Sequence, residues 1–396
     1  MSSKSSCFGL GKTGIAVIAI SITLYILQGS SNMLSGLKGD TVLTPMNLQV
    51  VVSGFCLSPL PNMLLVKDRM RDDPGDSLKR DFAETGDINE DDYTKDSIYS
   101  LLYSLYQAYP TAPSPHGGEY QFTFNTWGIA NTGDPPVPWL RPETEPQRHG
   151  MAAYQGLTEF KEVQDLLKRV EKPKFLEIGC GTGAGANLIT QLLPTVDYTA
   201  VDMQKAAIKT CREKHAVGNP RLHCVWVEGG VGNEGNRVKI PDASIDVVVI
   251  SETHIAEQII GPEEKAIFSD IVRMLKPGGI FVWGNALPTY VWDQAAEYLP
   301  KIGFEPCGEL NHTKGAILAR DEDEERVNMY VDYLLGNFPA MKIPYFGPKC
   351  HHVCEMLIKN FYRHPGTALY QKMETGYDSY MHLCNKKGPQ TTEEIR

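Results

Sequence analysis

"FLEIGCGTGAGANL", residues 175–188, sets four glycines within seven positions between an apolar run and an amphipathic one. Phe175 to Ile178 has the unbroken apolar character of a strand covered on both faces. Behind it, Gly179, Gly181, Gly183 and Gly185 form a turn that launches a helix through Ala186, Leu188, Ile189, Leu192 and Leu193. Glycine tolerates positive φ and carries no Cβ, so a flat ligand can lie on the peptide planes while N–H groups of the helix N-terminus face it. The spacing predicts a site for a polar cofactor. A Gly-rich loop alone is ambiguous between a dinucleotide and other adenosine ligands, but Glu177 at the strand end gives the form E-x-G-x-G-x-G, which departs from dinucleotide spacing.

Outward from this turn, residues 151–320 alternate short β-rich runs with amphipathic ones, the pattern of a doubly wound parallel sheet. "YTAVDMQ" (198–204) supplies a second strand ending at Asp202 and Met203. "IPDASIDVVVISETH" (240–254) supplies another, opened by Asp246 and running into Ser251, Glu252, Thr253 and His254. "IVRMLKPGGIFVWG" (271–284) reads as helix, turn and strand.

Together these four segments resemble, in order and spacing, the class I S-adenosylmethionine-dependent methyltransferases. The resemblance implies an α/β fold: a Rossmann-like seven-stranded, mostly parallel sheet with helices on both faces and an antiparallel last strand. It implies S-adenosyl-L-methionine as cofactor, held by Glu177, Gly179, Gly181, Gly183, Asp202, Met203 and Ser251, with the Asp202 carboxylate accepting both ribose hydroxyls. One departure stands out. Where the family often carries Gly-Asp after the third strand, "VWVEGGVGN" (225–233) has Gly230, so the adenine contact is expected to pass to the backbone of Gly230 and Val231, or to Asn233.

A sulfonium methyl is already activated, so catalysis needs in-line placement of the acceptor and, for a hydroxyl, a base. Ligands of open α/β sheets bind at strand ends, which makes Ser251, Glu252, Thr253 and His254 the candidates. "ISETHIAE" (250–257) also resembles a segment of the sterol C-methyltransferases. His254 is therefore expected either as base for O-methylation or as a capping or packing residue, and Glu252 as stabiliser of a cationic intermediate if carbon is methylated. "NHTKGAILARDEDEERVNMYVDYL" (311–334) and "HPGTALYQKMETGYDSYMHLCNKK" (364–387) are similar to the C-terminal part of bacterial methyltransferases acting on phthiotriolone-type lipids and polyketides. In those a helical lid encloses a greasy acceptor. The aromatic residues between Tyr103 and Trp127 line such a pocket or form ordinary core.

Composition sets the bounds. With 396 residues, 42% hydrophobic and 22% charged, the chain is globular and can bury a large core. A net charge of -10 argues against a nucleic-acid partner. The nine scattered cysteines read as reduced thiols rather than a disulfide framework. "CHHVC" (350–354) lacks a second pair of ligands, so no metal is expected.

Five regions follow: an apolar anchor or targeting segment (1–30), a polar linker (31–96), an aromatic cap (97–150), the catalytic core (151–320) and a C-terminal helical lid with the final strand (321–396). "GIAVIAISITLYIL" (14–27) is short for the ~20 residues of a membrane helix. It is expected to tether the protein to an endomembrane as a single-pass anchor; an organelle-targeting or secretory segment is the alternative. The expected function is methyl transfer to a small hydrophobic or lipid-like acceptor, oxygen ahead of carbon. The alternative is a membrane-tethered module that binds the cofactor without turnover.

Overall fold

The computed structural model describes residues 111–114, 119–121, 124–227, 240–253, 262–337 and 347–388. The apolar segment and polar linker read from the sequence lie outside these residues. Among the described residues, no helix is long and apolar enough to cross a membrane.

A short antiparallel ribbon, β1 (Thr111–Pro113) and β2 (Glu119–Gln121), precedes helices α1 (Arg148–Gly156) and α2 (Lys161–Arg169). Strands and helices then alternate: β3 (Lys174–Ile178), α3 (Ala184–Leu192), β4 (Asp197–Asp202), α4 (Lys205–Thr210), β5 (Leu222–Trp226) and β6 (Ile245–Ser251). After these come α5 (Pro262–Met274), β7 (Leu275–Pro288), α6 (Thr289–Lys301) and β8 (Phe304–Asn311). Four helices, α7 (Thr313–Glu322), α8 (Glu324–Gly336), α9 (Gly347–Phe361) and α10 (Ala368–Glu374), lead into β9 (Asp378–Lys387).

The seven strands β3–β9 form one sheet in the order β5-β4-β3-β6-β7-β9-β8. Neighbours from β5 to β7 run parallel, and β9 inserts antiparallel between β7 and β8. This is the sheet the resemblance implied. Chain progression reverses between β3 and β6, and at such a switch point a crevice opens beyond the carboxyl ends of the two strands.

Covering both faces explains the unbroken apolar runs. In β6, "IDVVVIS", every residue is buried. Val247 and Val249 pack with Leu157, Phe160, Tyr198 and Val282, whereas Val248 and Ile250 meet Phe268, Phe281, Trp283 and Trp292 on the other face. Each such side chain contributes about 1.5–3 kcal/mol on burial, so the strand ends stand on a rigid platform. Asp246 serves the far end: its carboxylate accepts the Lys174 N–H and the Lys276 ammonium, both at 2.8 Å, tying β3, β6 and β7 together where they enter the sheet.

Two readings need correction. Helix α3 starts at Ala184, so Gly185 lies in its first turn rather than in the loop before it. The thiols are not all reduced, because folding brings two pairs together. Cys211 bonds Cys224 of β5, and Cys307 of β8 bonds Cys384 on the adjacent β9.

Candidate active site

The crevice at the switch point is built on the glycine turn. Gly179, Gly181 and Gly183 take φ of 76°, 54° and 83°, conformations that only glycine adopts freely. Val201 O accepts the N–H groups of Gly179 (2.9 Å) and Cys180 (3.0 Å), which pins the turn to the end of β4. Asp202 completes the fastening: Oδ2 accepts the Gly181 N–H at 2.8 Å and Oδ1 the Gln204 N–H at 2.7 Å.

The missing Cβ atoms have a different cause from the one expected. A Cβ on Gly179 would overlap the Thr253 side chain, one on Gly183 the Cys211 sulfur, and one on Gly185 the Tyr154 ring. These three glycines therefore clear the protein's own chains. Gly181 and Thr182 form the partly exposed crest of the turn, with half-buried Met203 after β4. A carboxylate offers about four lone-pair sites, so Asp202, with two N–H groups bound, keeps capacity for a ribose diol. The first N–H groups of α3 face a polar group as helix N-termini do, and no side chain caps them. These residues fit an adenosyl cofactor.

Glu177 lies beneath the turn, fully buried, and accepts the Tyr198 hydroxyl at 3.1 Å. Burial is the main reason its pKa is pushed up to about 7; hydrogen bonds from Tyr198 and Tyr154 oppose the shift. Tyr154 also hydrogen-bonds Ser251, linking the ends of β3 and β6.

The end of β6 forms the other wall. Thr253 Oγ1 donates to Ile178 O (3.1 Å) or Gly179 O (3.2 Å), so the residues after β6 are held against the glycine turn. Glu252 stands between Ser251 and Thr253 with φ of 48°. Such a conformation costs a non-glycine residue about 1–3 kcal/mol and marks places where the surroundings impose it. Glu252 Oε1 accepts the Trp127 N–H at 2.7 Å, and Oε2 lies 3.0 Å from Arg363 Nη2. Burial raises the Glu252 pKa; Arg363, the Trp127 N–H, Tyr380 and Arg320 oppose it in that order. Nearby, His312 and His382 meet edge to face at 4.9 Å. Burial holds His312 down at about 4 and His382 well below its usual value, so both imidazoles are neutral at pH 7.

The structure thus brings together Glu177, Gly179, Gly181, Gly183, Asp202, Met203, Ser251 and Glu252 from three strand ends. Gly230, Val231, Asn233 and His254 lie outside the described residues. Of the aromatic segment, Trp127 is buried in a core shared with Ile129, Ala152, Ala316, Tyr370 and Tyr380, and Phe124 packs edge-on against Tyr154 at 5.7 Å. Sequence reasoning missed Tyr154, the closing role of Thr253, Arg363 and Tyr380. Only Arg363 left a trace, as a cation ending the apolar helix "CEMLIKNFYR".

A family profile described as a methyltransferase domain matches residues 175–279. The chain is similar to two proteins of Mycobacterium ulcerans. One is a phthiotriol/phenolphthiotriol dimycocerosates methyltransferase, 28% identical over 54% of this chain and 70% of that protein. The other is a probable second such methyltransferase, 30% identical over 60% of this chain and 85% of that protein. A fatty-acid O-methyltransferase of Mycolicibacterium smegmatis is 27% identical over 33% of this chain and 44% of its own length.

Proposed function

We propose that this chain, which belongs to the class I S-adenosylmethionine-dependent methyltransferases, methylates a lipid-like acceptor, with a hydroxyl oxygen favoured over carbon. The bound cofactor supplies an electrophilic methyl group on its sulfonium. Asp202 holds the ribose hydroxyls, the N-terminus of α3 and the crest at Gly181 receive the polar part of the ligand, and Glu177 with Tyr154 keeps the turn in shape. The lipid-like acceptor is supported by the names of the relatives, which act on phthiotriol lipids or fatty acids.

The observation that carries the reading is the position of Glu252. Thr253 fastens its neighbourhood to the glycine turn, while Trp127 and Arg363 hold its two oxygens. A carboxylate in an ion pair retains lone pairs for an acceptor hydroxyl, and a pKa raised by burial makes it a better proton acceptor near neutrality. As the new O–CH3 bond forms and the S–CH3 bond breaks, the hydroxyl proton passes to Glu252. His254, two residues on, is the second candidate for that proton. With a carbon acceptor, ionised Glu252 would instead stabilise the cationic intermediate.

The test incubates the protein with labelled cofactor and a lipid extract. Glu252→Gln is expected to lower kcat by about 10²–10⁴-fold with cofactor affinity unchanged. Full turnover in that variant would sink the assignment. Label on an ether or ester oxygen, rather than on carbon, settles the acceptor atom. Heat of cofactor binding without any labelled lipid would favour the binding-module alternative. The membrane tether belongs to the same reading: full-length protein should sediment with lipid vesicles and protein lacking residues 1–66 should not, and equal sedimentation would remove it.

A further inference from the structure

We infer that Arg363 is the positioning residue of this site: its guanidinium fixes the Glu252 carboxylate and ties the chain before α1 and the segment after α9 to the end of β6. The inference rests on the reading of Glu252 as the group that receives the acceptor's proton.

Three remote stretches meet at one side chain. Arg363 Nη2 lies 3.0 Å from Glu252 Oε2 while Nη1 donates to Asn125 Oδ1 at 2.9 Å, and the guanidinium stands 5.9 Å from the Trp127 ring centre. Trp127 in turn donates its backbone N–H to the other oxygen of Glu252. A planar fork can serve two acceptors in fixed directions, which a lysine ammonium does not do. Both ends of the ion pair occupy left-handed backbone, with φ of 48° at Glu252 and 54° at Arg363. Two side-chain-bearing residues held there at once show that the surrounding structure enforces this meeting.

The remaining groups facing Glu252 do not replace Arg363. Arg320, on α7, is buried and met by Asp323 at 2.8 Å, which also pairs with Arg326. Tyr380 of β9 and the Trp127 N–H are uncharged, and Tyr154 on α1 interacts with the same carboxylate as a neutral phenol. Arg363 therefore does most to keep Glu252 ionised against its burial, and it does so without touching the glycine turn.

The test compares Arg363→Gln and Arg363→Lys in the full chain. Loss of a cation this close raises a carboxyl pKa by about 1–3 units. The acidic limb of the kcat profile in Arg363→Gln should move up by that amount and kcat at pH 7 fall at least tenfold, with KM for the cofactor within about twofold. Arg363→Lys should recover part of both. Infrared difference spectra at pH 7 should show a protonated carboxyl band in Arg363→Gln that vanishes in Arg363→Gln/Glu252→Gln. That band is read without turnover, so absence of methyl transfer in the wild type would remove the proposed function while leaving this inference to the spectra. An unmoved acidic limb together with no carboxyl band, in a variant that loses only melting temperature, overturns it. Should Arg363→Gln fail to fold, the same readouts on Arg363→Lys decide, with smaller shifts expected.

Discussion

The two walls of the crevice are made in opposite ways. The glycine turn is local: Gly179, Gly181, Gly183 and Asp202 lie within 24 residues, and backbone N–H groups do most of the fastening. The wall at Glu252 is assembled from Trp127, Glu252, Arg363 and Tyr380, scattered over 254 residues and joined by side chains in a buried setting. A cofactor common to many proteins is met by a standard piece of chain; an acceptor particular to this one is met by remote residues that only the finished fold collects.

Breaking each wall should therefore give a different signature, and the largest effect is expected at Asp202. In Asp202→Ala the N–H groups of Gly181 and Gln204 lose their acceptor, at a cost of about 1–3 kcal/mol for each one left unsatisfied, and the ribose loses its carboxylate. Calorimetry should show cofactor affinity down about 100-fold, against a change under about twofold in Glu252→Gln. Equal losses in both variants would mean that the walls do not work separately.

A smaller effect is expected from Gly179→Ala. The new Cβ overlaps Thr253, and the φ of 76° strains any residue with a side chain. Together these should lower unfolding free energy by about 1–3 kcal/mol. Adding Thr253→Ala relieves the overlap but not the backbone strain, so denaturation midpoints should recover in part. Strict additivity of the two changes would show that Gly179 and Thr253 do not press on each other.

The same contrast governs what the sequence made legible. Strand order, the turn and Asp202 were readable because each rests on a local pattern: an apolar run, glycine spacing, a carboxylate at a strand end. The reason for the glycines was misread, since the bare positions face Thr253, Cys211 and Tyr154, and nothing in residues 175–188 names a neighbour 68 or more positions away in the case of Thr253. Glu252 was visible by its place after β6, but its partners were not. Arg363 carries no spacing signal relative to Glu252 because their approach depends on β9 inserting between β7 and β8. The pairs Cys211–Cys224 and Cys307–Cys384 escaped for the same reason.

The finest distinction concerns Glu177, which belongs to the local wall yet is buried like the remote one. Its carboxyl titrates near 7 in the folded protein against 4.5 ordinarily, chiefly because it has no access to water. A carboxyl raised on folding holds its proton in the native state while the unfolded chain has released it, so the native state binds more protons between about pH 4.5 and 7. Stability from this group is present in full below that window and is lost as pH rises through it, by on the order of 3 kcal/mol at most. Glu177→Gln cannot titrate, so its unfolding free energy should fall less than that of the wild type between pH 5 and pH 8. Glu252, raised in the same direction, leaves a residual slope in both proteins, and the comparison isolates the share of Glu177. Urea denaturation at the two pH values measures it. Parallel slopes would mean that Glu177 stays ionised beneath the turn, and that its hydrogen bonds from Tyr198 and Tyr154 outweigh the loss of water after all.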